Sequence, residues 1–142
     1  MQGYEKVSVR GVREHDEALL FALAGEAYGD QLPAGETVAV LTRAQVFVAE
    51  AADGEIAGYV ALVDEGVDLC IRQLLVAPSH VDRRVEQQLC EWAEGYAVSR
   101  HFDRVRVDVG EDELRERIFY QRRGYVATRA GGLELALPAP DE

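Results

Sequence analysis

The turn from Val81 to Glu86 carries four charged side chains between an apolar segment and an amphipathic one. Arg83 and Arg84 could donate side-chain hydrogen bonds to a phosphate group. Asp82 and Glu86 would place negative charge beside such a ligand. Phosphate-binding turns are usually rich in glycine, because the backbone must come close to the ligand, and this turn has none. The turn is therefore either a phosphate site built from arginine side chains or a solvated surface turn.

A second interpretation of this stretch is a helix that caps its own N-terminus. Ser79 fits the N-cap position, and Asp82 follows three residues later, as in a capping box. Acidic side chains in a first helical turn stabilise the helix by about 0.3–1 kcal/mol each. In this interpretation the helix N-terminus is satisfied within the protein and does not need a phosphate.

The elements on either side of the turn are a predicted strand and a predicted helix. The apolar run of residues 74–76 indicates a strand buried on both faces, and Pro78 ends it. After the turn, apolar residues recur at i, i+4, i+7 and i+11 and predict a helix with one stripe against a sheet. The stripe consists of Val85, Leu89, Trp92 and Tyr96.

The rest of the chain predicts further strands and helices. Strands are predicted at 4–10 and at 103–109. A hairpin of two strands turns at Asp53-Gly54, and a further strand follows a second turn at 64–66. Two short strands are predicted around Gly131-Gly132. Helices are predicted from His15 or Asp16 to near Gly29, at 37–44, and at 112–123 with Gly124 as C-cap. The inward apolar residues are expected to be Leu19, Ala22, Leu23 and Ala27 in the first helix, and Leu114, Ile118 and Phe119 in the last.

The order of these elements predicts one α/β domain. It reads β-α-(α)-β-β-β-α-β-α-β-β, and the strand-helix-strand run in the second half implies a parallel step within a mixed β-sheet flanked by helices. We assign residues 1–137 to this domain and residues 138–142 to a C-terminal tail.

The chain has 142 residues, a formal net charge of -11 and an isoelectric point near 4.7. Such a charge repels nucleic acid and an anionic membrane surface, so neither is an expected partner. It would attract a cationic ligand such as an amine, although solubility alone also accounts for it.

The cysteines and histidines do not indicate a metal site. Cys70 and Cys90 lie in apolar runs without metal-like spacing and are expected to be buried thiols, whereas His80 in the turn is expected to be exposed. No signal peptide or membrane-spanning apolar run is apparent, so we expect a cytoplasmic protein.

Three segments carry a resemblance to a known family. They are VFVAEAADGEIAGYVAL, a central hairpin; QLLVAP, the strand before a cofactor turn; and IFYQRRGY, a late helix ending in a Tyr, three residues, Gly-aromatic pattern. In this order and at this spacing the sequence resembles the GNAT acyltransferase superfamily, whose members use acetyl-CoA. The resemblance covers nearly the whole chain and implies a GNAT-like fold.

The resemblance also implies a site. The backbone of Leu75 and Val76 would bind the pantetheine arm, and the turn and helix start at Arg83, Arg84 and Val85 would hold the diphosphate. A carboxylate or an ordered water would take the amine proton, and Tyr120 would protonate the leaving thiolate. Tyr120 has an alternative interpretation as an interior aromatic of its helix.

The sequence departs from the family pattern at several positions of this implied site. Arg84 and Glu86 replace small residues of the turn, so we expect acetyl-CoA binding to be weak or lost. Gln73 stands where many relatives have an acidic residue, and the alternative carboxylates at the end of the fifth strand are Asp108 and Glu111. Near the last helix, Glu113 stands where the family usually has Asn, and Glu116 stands where it has a small residue.

Two functions follow from the resemblance and from these departures. The first is an N-acetyltransferase that moves an acetyl group from acetyl-CoA to an amine of a small molecule or a protein. The alternative is an inactive GNAT-like domain that serves as a regulatory or protein-interaction module. The oligomeric state stays open: relatives of the family are often dimers, and the closing strands around Gly131-Gly132 are where they commonly pair.

Overall fold

The computed structural model describes residues 6–28, 44–81, 84–110 and 112–138. Seven strands form one mixed sheet: β1 Ser8–Gly11, β2 Gln45–Glu50, β3 Ile56–Glu65, β4 Asp68–Val76, β5 Arg104–Val107, β6 Val126–Ala127 and β7 Leu133–Ala136. Within the described ranges three α-helices accompany it: α1 Glu17–Tyr28, α2 Val85–Ser99 and α3 Leu114–Arg122. The predicted α/β fold class is confirmed. The helix predicted at 37–44 lies outside the described residues, apart from Ala44.

The strand order is β1-β2-β3-β4-β5-β7-β6, and β4 with β5 is its parallel pair, as the strand-helix-strand pattern predicted. Two hairpins join β2 to β3 and β3 to β4. Their turns place Gly54 and Gly66 at φ of +88° and +86°, a left-handed conformation that glycine adopts without steric cost. Gly124, after α3, has a φ of +101°, in keeping with its predicted role at the helix end.

Two apolar layers cover the two faces of the sheet. One face carries the larger core, which α2 contributes to through Val85, Leu89, Cys90, Ala93 and Ala97. The opposite face carries a smaller cluster under α1, in which Leu20 and Ala24 pack with Val48, Tyr59, Ala61 and Leu75. Strand β4 therefore contacts helices on both of its faces, as its apolar sequence predicted.

The inward face predicted for α1 was wrong at Leu19 and Ala22 and confirmed at Leu23, which packs against the smaller cluster, whereas the side chain of Ala27 lies outside the described part of the chain. Leu19 and Ala22 are exposed, whereas Leu20 and Ala24 are buried and Leu23 is half-buried. Residues 18–24 form an unbroken apolar run, so the sequence contains no polar residue that would fix the rotation of this helix.

The predicted inward face of α3 was also wrong in part. Leu114 is 65% exposed and Ile118 is 48% exposed, whereas Tyr120 is buried and Phe119 is partly buried. The helix spans nine residues and packs through its aromatic pair near its C-terminal end, so Leu114 at its start lies outside the contact. In the described ranges no helix is long and apolar enough to cross a membrane.

Candidate cofactor cleft and active site

Strands β4 and β5 separate halfway along β4. Pairing between them runs from Asp68 with Arg104 to Ile71 with Val107, and β4 then continues to Val76 without a β5 partner. The separation begins at a β-bulge: Ala61 of β3 pairs with Gln73 and Leu62 pairs with Ile71, which leaves Arg72 as the extra residue. A bulge bends its strand, so the two strands diverge toward their C-terminal ends. Leu75 and Val76, the predicted pantetheine-binding residues, lie on this divergent stretch.

The turn that precedes α2 has a left-handed conformation. Arg84 is the N-cap of α2, with φ of 63° and ψ of 24°, and no side-chain hydrogen bond caps the helix from this position. A residue with a Cβ adopts this conformation at a cost of about 1–2 kcal/mol, and glycine adopts it freely. The backbone at Arg84 therefore has the conformation that suits the glycine expected there from the family pattern.

The capping box predicted at Ser79 was wrong. Ser79 lies within a short 3-10 turn, Pro78–His80, and α2 begins only at Val85, so Ser79 cannot be the N-cap of that helix. Proline fixes its own φ and starts this separate turn. The other proposed partner, Asp82, lies outside the described residues, as does Arg83.

His80, expected to be exposed, is buried with 5% of its surface accessible. Its Nε2 atom lies 3.0 Å from Oε1 of Glu55 in the turn between β2 and β3. A carboxylate neighbour satisfies the imidazole away from water, and no local sequence pattern indicates that these two residues meet.

A groove of about 720 Å3 lies between α2 and α3, next to the start of α2. Its lining combines three arginines and two apolar side chains with one carboxylate and one amide: Arg115, Arg122, Arg123, Ile118, Phe119, Glu86 and Gln87. Sequence reasoning missed this groove, because the family pattern drew attention to the turn rather than to the exposed face of α3.

Tyr120, the predicted general acid, is buried with 5% of its surface accessible. Its ring meets those of Phe119 and Tyr125 edge to face, with centroid distances of 5.0 and 5.2 Å. The same core contains side chains from both of the diverging strands, Leu74 and Val76 on β4 and Val107 and Val109 on and after β5. The structure thus places Tyr120 in the same core cluster as side chains from both strands.

A polar cluster behind Tyr120 was not predicted. Glu94 of α2 accepts hydrogen bonds from Nη2 and Nε of Arg123, at 2.6 and 3.1 Å, and from the Tyr125 hydroxyl at 2.9 Å. The Cys90 thiol lies 3.3 Å from the same carboxylate. Burial is the main cause that raises the pKa of Tyr125 far above its ordinary value and the pKa of Cys90 to about 12. The Cys90 thiol is therefore protonated at neutral pH and is not a nucleophile.

Where many relatives have an acidic residue, this chain has the neutral amide of Gln73. Gln73 is 5% exposed, and its Oε1 atom accepts a hydrogen bond of 2.6 Å from the Tyr59 hydroxyl. An amide cannot take up a proton near neutral pH. Asp108, one of the two proposed substitutes, is 58% exposed after β5 and lies 3.5 Å from both Arg72 and Arg106. Glu111, the other, lies outside the described residues.

The remaining departures from the family pattern lie at the start of α3. Glu113 is the N-cap of this helix, and its Oε1 atom accepts a hydrogen bond of 3.1 Å from the backbone N–H of Gly110. Glu116 is exposed in the first turn, where negative charge is favourable. Both residues thus have local roles at the helix start. Among the described residues, no group of three or more His, Cys, Asp or Glu could hold a metal ion.

The fold defines the class of protein, and solved structures share this fold. An acetyltransferase of the GNAT family from Staphylococcus aureus Mu50 superposes with a TM-score of 0.80 at 9% identity, over 93% of this chain and 99% of that one. Ard1 from Thermoplasma volcanium superposes with a TM-score of 0.79 at 14% identity, over 94% and 99%. PaiA N-acetyltransferase from Thermoplasma acidophilum, solved in complex with coenzyme A, gives 0.70 at 16% identity, over 92% and 98%.

The model of the acetyltransferase (GNAT) family matches residues 14–125, which is most of the chain. The chain therefore belongs to the GNAT family. No curated protein matches it significantly in sequence.

Proposed function

We propose that this chain is an acetyl-CoA-dependent N-acetyltransferase that acetylates an amine. The observation that carries the proposal is the opening between β4 and β5 at the Arg72 bulge, together with the left-handed turn at Arg84 that leads into α2. The first feature exposes a strand edge to a pantetheine arm, and the second presents a helix N-terminus to a diphosphate.

Binding would use the backbone more than side chains. The edge of β4 at Leu75 and Val76, which lacks a β5 partner, would exchange hydrogen bonds with the amides of the pantetheine. The N–H groups of the first turn of α2, from Val85 onward, would donate to the diphosphate. The guanidinium groups of Arg83 and Arg84 would add positive charge at the same place.

The chemistry requires one nucleophile and two proton transfers. The acceptor nitrogen attacks the thioester carbonyl carbon, the carbon–sulfur bond breaks, and the sulfur takes a proton from the Tyr120 hydroxyl. The nitrogen loses one proton, and Gln73 cannot accept it. We assign that proton to Asp108 through an intervening water, since Asp108 follows β5 where the strands diverge.

A second candidate is the inactive module. The observation that favours it is Gln73, which is buried and held by Tyr59 where a carboxylate would be expected. The two candidates differ in one outcome, because both have the fold but the module transfers no acetyl group.

The test is release of free thiol from acetyl-CoA in the presence of a library of small amines and amine-terminated peptides. We expect acceptor-dependent release, and we expect the Tyr120→Phe variant to lose most of it while keeping its fold. Acceptor-dependent release that is equal in both proteins contradicts the role of Tyr120 but not the enzyme. Release that is absent with every acceptor, although acetyl-CoA binds, contradicts the enzyme and supports the module.

A further inference from the structure

Three polar or charged side chains are buried within the described part of the chain, and two of them lie beside charged partners. Asp16 forms an ion pair with Arg10, and His80 lies 3.0 Å from Glu55. The third is the uncharged Gln73, which is 5% exposed. A buried amide is expected to use both its oxygen and its nitrogen in hydrogen bonds.

The amide of Gln73 is hydrogen-bonded on its oxygen side. Its Oε1 atom accepts a bond of 2.6 Å from the Tyr59 hydroxyl. Its Nε2 atom carries two N–H donors, and no residue in the described ranges accepts a hydrogen bond from either of them. Buried donors without an acceptor are unfavourable, so this side of the amide indicates a ligand that supplies one.

The nitrogen lies where β4 and β5 part. Pairing between these strands ends at Ile71, so no β5 residue pairs with Gln73. Tyr59 belongs to β3, on the other side of β4. The oxygen and the nitrogen of an amide point in different directions, so the nitrogen is directed away from β3 and toward the opening between β4 and β5.

Gln73 lies on the face of the sheet that is opposite the proposed cofactor groups. It precedes Leu75 by two residues in an extended strand, so both share the face under α1. Leu74 and Val76 belong to the core of the other face, which also contains Tyr120 and the first residue of α2. A cofactor held at the start of α2 reaches the opening from that face. The group that meets Gln73 therefore comes from the acceptor.

The chemistry around Gln73 favours an uncharged group on the acceptor. A buried carboxylate would need a positive partner. The adjacent arginine, Arg72, bonds to Glu65 at 2.7 Å and lies 3.5 Å from Asp108. The net charge of -11 also disfavours an anion. A neutral carbonyl oxygen accepts a hydrogen bond from an amide without either cost.

We infer that Gln73 is a specificity-determining residue that donates a hydrogen bond to a carbonyl next to the acceptor amine. The acceptor is then an α-amino amide, either an amino-acid amide or the first residue of a peptide. The inference rests on the proposed function and names its acceptor class. Gln73 precedes Leu75 by about 7 Å along the strand, so only a few bonds separate this carbonyl from the amine at the thioester. Tyr59 is a positioning residue, because its hydroxyl holds Oε1 and so orients the two donors.

Matched acceptors test the inference by steady-state acetyl transfer. The first set is alaninamide, ethylamine, which lacks the carbonyl group, and alanine, which has a carboxylate; sets with leucine and phenylalanine side chains follow the same design. We expect kcat/KM to be highest for the amide, because a site that bonds a carbonyl rejects an analogue without it. A tripeptide amide with the same first residue distinguishes a small acceptor from a peptide N-terminus, and transfer to either supports the inference.

Gln73→Met is the direct comparison, since methionine is similar in size and has no N–H donor. We expect the ratio of kcat/KM for the amide to that for the amine to fall about tenfold, the scale of one lost buried hydrogen bond. Comparing this ratio between proteins cancels the different basicities of the two amines.

The Tyr59→Phe/Gln73→Met double variant removes the hydroxyl together with its acceptor, so the hydroxyl is not left without its acceptor. It should show the same fall, and it replaces the single variant if that protein does not fold. Gln121→Met, on the exposed face of α3, is the matched control and should keep the wild-type ratio. A general loss of structure would lower the transfer to both acceptors and leave their ratio unchanged.

The outcomes separate the inference from the function on which it rests. If the folded variants keep the wild-type ratio, or if the free amino acid is a better acceptor than the amide, the inference is overturned and the proposed function stands. If no acceptor is acetylated, calorimetric titration with alaninamide decides. Binding that is lost in Gln73→Met supports the amide site and ends the proposed function, whereas no binding, or equal binding in both proteins, overturns both.

Discussion

The turn before α2 and the bulge of β4 are two halves of one candidate site, and at each of them a side chain departs from the family pattern while the backbone suits the cofactor. At the turn, Arg84 has replaced the expected small residue, yet its backbone has the left-handed conformation that suits glycine. At the bulge, the backbone opens β4 away from β5, yet Gln73 places a neutral amide where relatives have a carboxylate. At the turn the difference is a longer side chain on a backbone that suits glycine. At the bulge the difference is an amide that cannot take up a proton, on a strand that separates from β5.

The difference shows which functions tolerate substitution. A diphosphate is held by backbone N–H groups and a helix N-terminus, which depend on the path of the chain and only indirectly on the side chain. Proton transfer needs a group with a suitable pKa at a particular atom, and no backbone conformation supplies one. We therefore expect cofactor binding to be retained more fully than base catalysis.

The largest effect is expected from a change that moves the β4 backbone without altering its chemistry. A Cβ added at Gly58 of β3 would lie 2.3 Å from the carbonyl oxygen of Leu75, so β4 must shift. We expect Gly58→Ala to lower the free energy of unfolding by about 2–3 kcal/mol, as overpacking does, and to abolish acetyl-CoA binding. Chemical denaturation and calorimetry measure the two effects.

The control for this change is Gly95→Ala on α2, where an added Cβ meets nothing within 4 Å. Alanine favours the helix, so stability should rise by about 0.5–1 kcal/mol with acetyl-CoA binding unchanged. Intact binding in Gly58→Ala would show that the cofactor does not use the Leu75–Val76 edge.

The next effect concerns the proton for the leaving thiolate. We expect Tyr120→Phe to lower kcat about a hundredfold, the usual scale of general acid catalysis, while the edge-to-face packing of its ring remains. Steady-state acetyl transfer and thermal unfolding provide the two readouts.

Tyr125→Phe is the matched control: it removes the hydrogen bond to Glu94 and should lower stability by about 1–3 kcal/mol with a smaller change in kcat. The reverse pattern would make Tyr120 a packing residue only.

A smaller effect is expected when a carboxylate is returned to β4. Gln73→Glu should raise kcat about tenfold, because a carboxylate at that place can take the amine proton directly. Burial raises the pKa of a carboxyl, so the gain should appear as the pH rises above that value and disappear below it. The pH dependence of kcat measures this, with Gln121→Glu on the exposed face of α3 as control. A gain that does not depend on pH would exclude a base at this position.

The smallest effect tests the backbone at the turn. Arg84→Gly should raise the free energy of unfolding by about 1 kcal/mol, since it relieves a left-handed residue that has a Cβ. His101, with a φ of 64°, is the other such residue in the described ranges, and His101→Gly should give a similar gain. Calorimetry with acetyl-CoA distinguishes the two variants. Arg84 is the N-cap of α2, where the diphosphate is proposed to bind, so only Arg84→Gly should change the affinity for acetyl-CoA.

The strands and the family were predictable because their signals are local. Asp53-Gly54 and the turn before β4 specify hairpins by themselves, and the apolar stripe of α2 specifies its buried face. The left-handed turn at Arg84 was not predictable, because arginine has no preference for that conformation.

The features that the sequence did not reveal depend on contacts between distant segments. Glu94 meets Tyr125 across 31 positions, and His80 meets Glu55 across 25. The rotation of α1 is fixed only by what lies beneath it, since its own sequence is apolar on several sides. Such pairings are properties of the packed fold, and single-sequence patterns do not encode them.

The most direct test of the account is a calorimetric titration of acetyl-CoA into the wild-type chain at low salt, with coenzyme A as the control ligand. We predict binding of both in the micromolar range, because the end of β4 lacks a β5 partner and the backbone at Arg84 is left-handed before the start of α2. The absence of binding at millimolar acetyl-CoA would contradict it, and the chain would then be a GNAT-family domain without a cofactor.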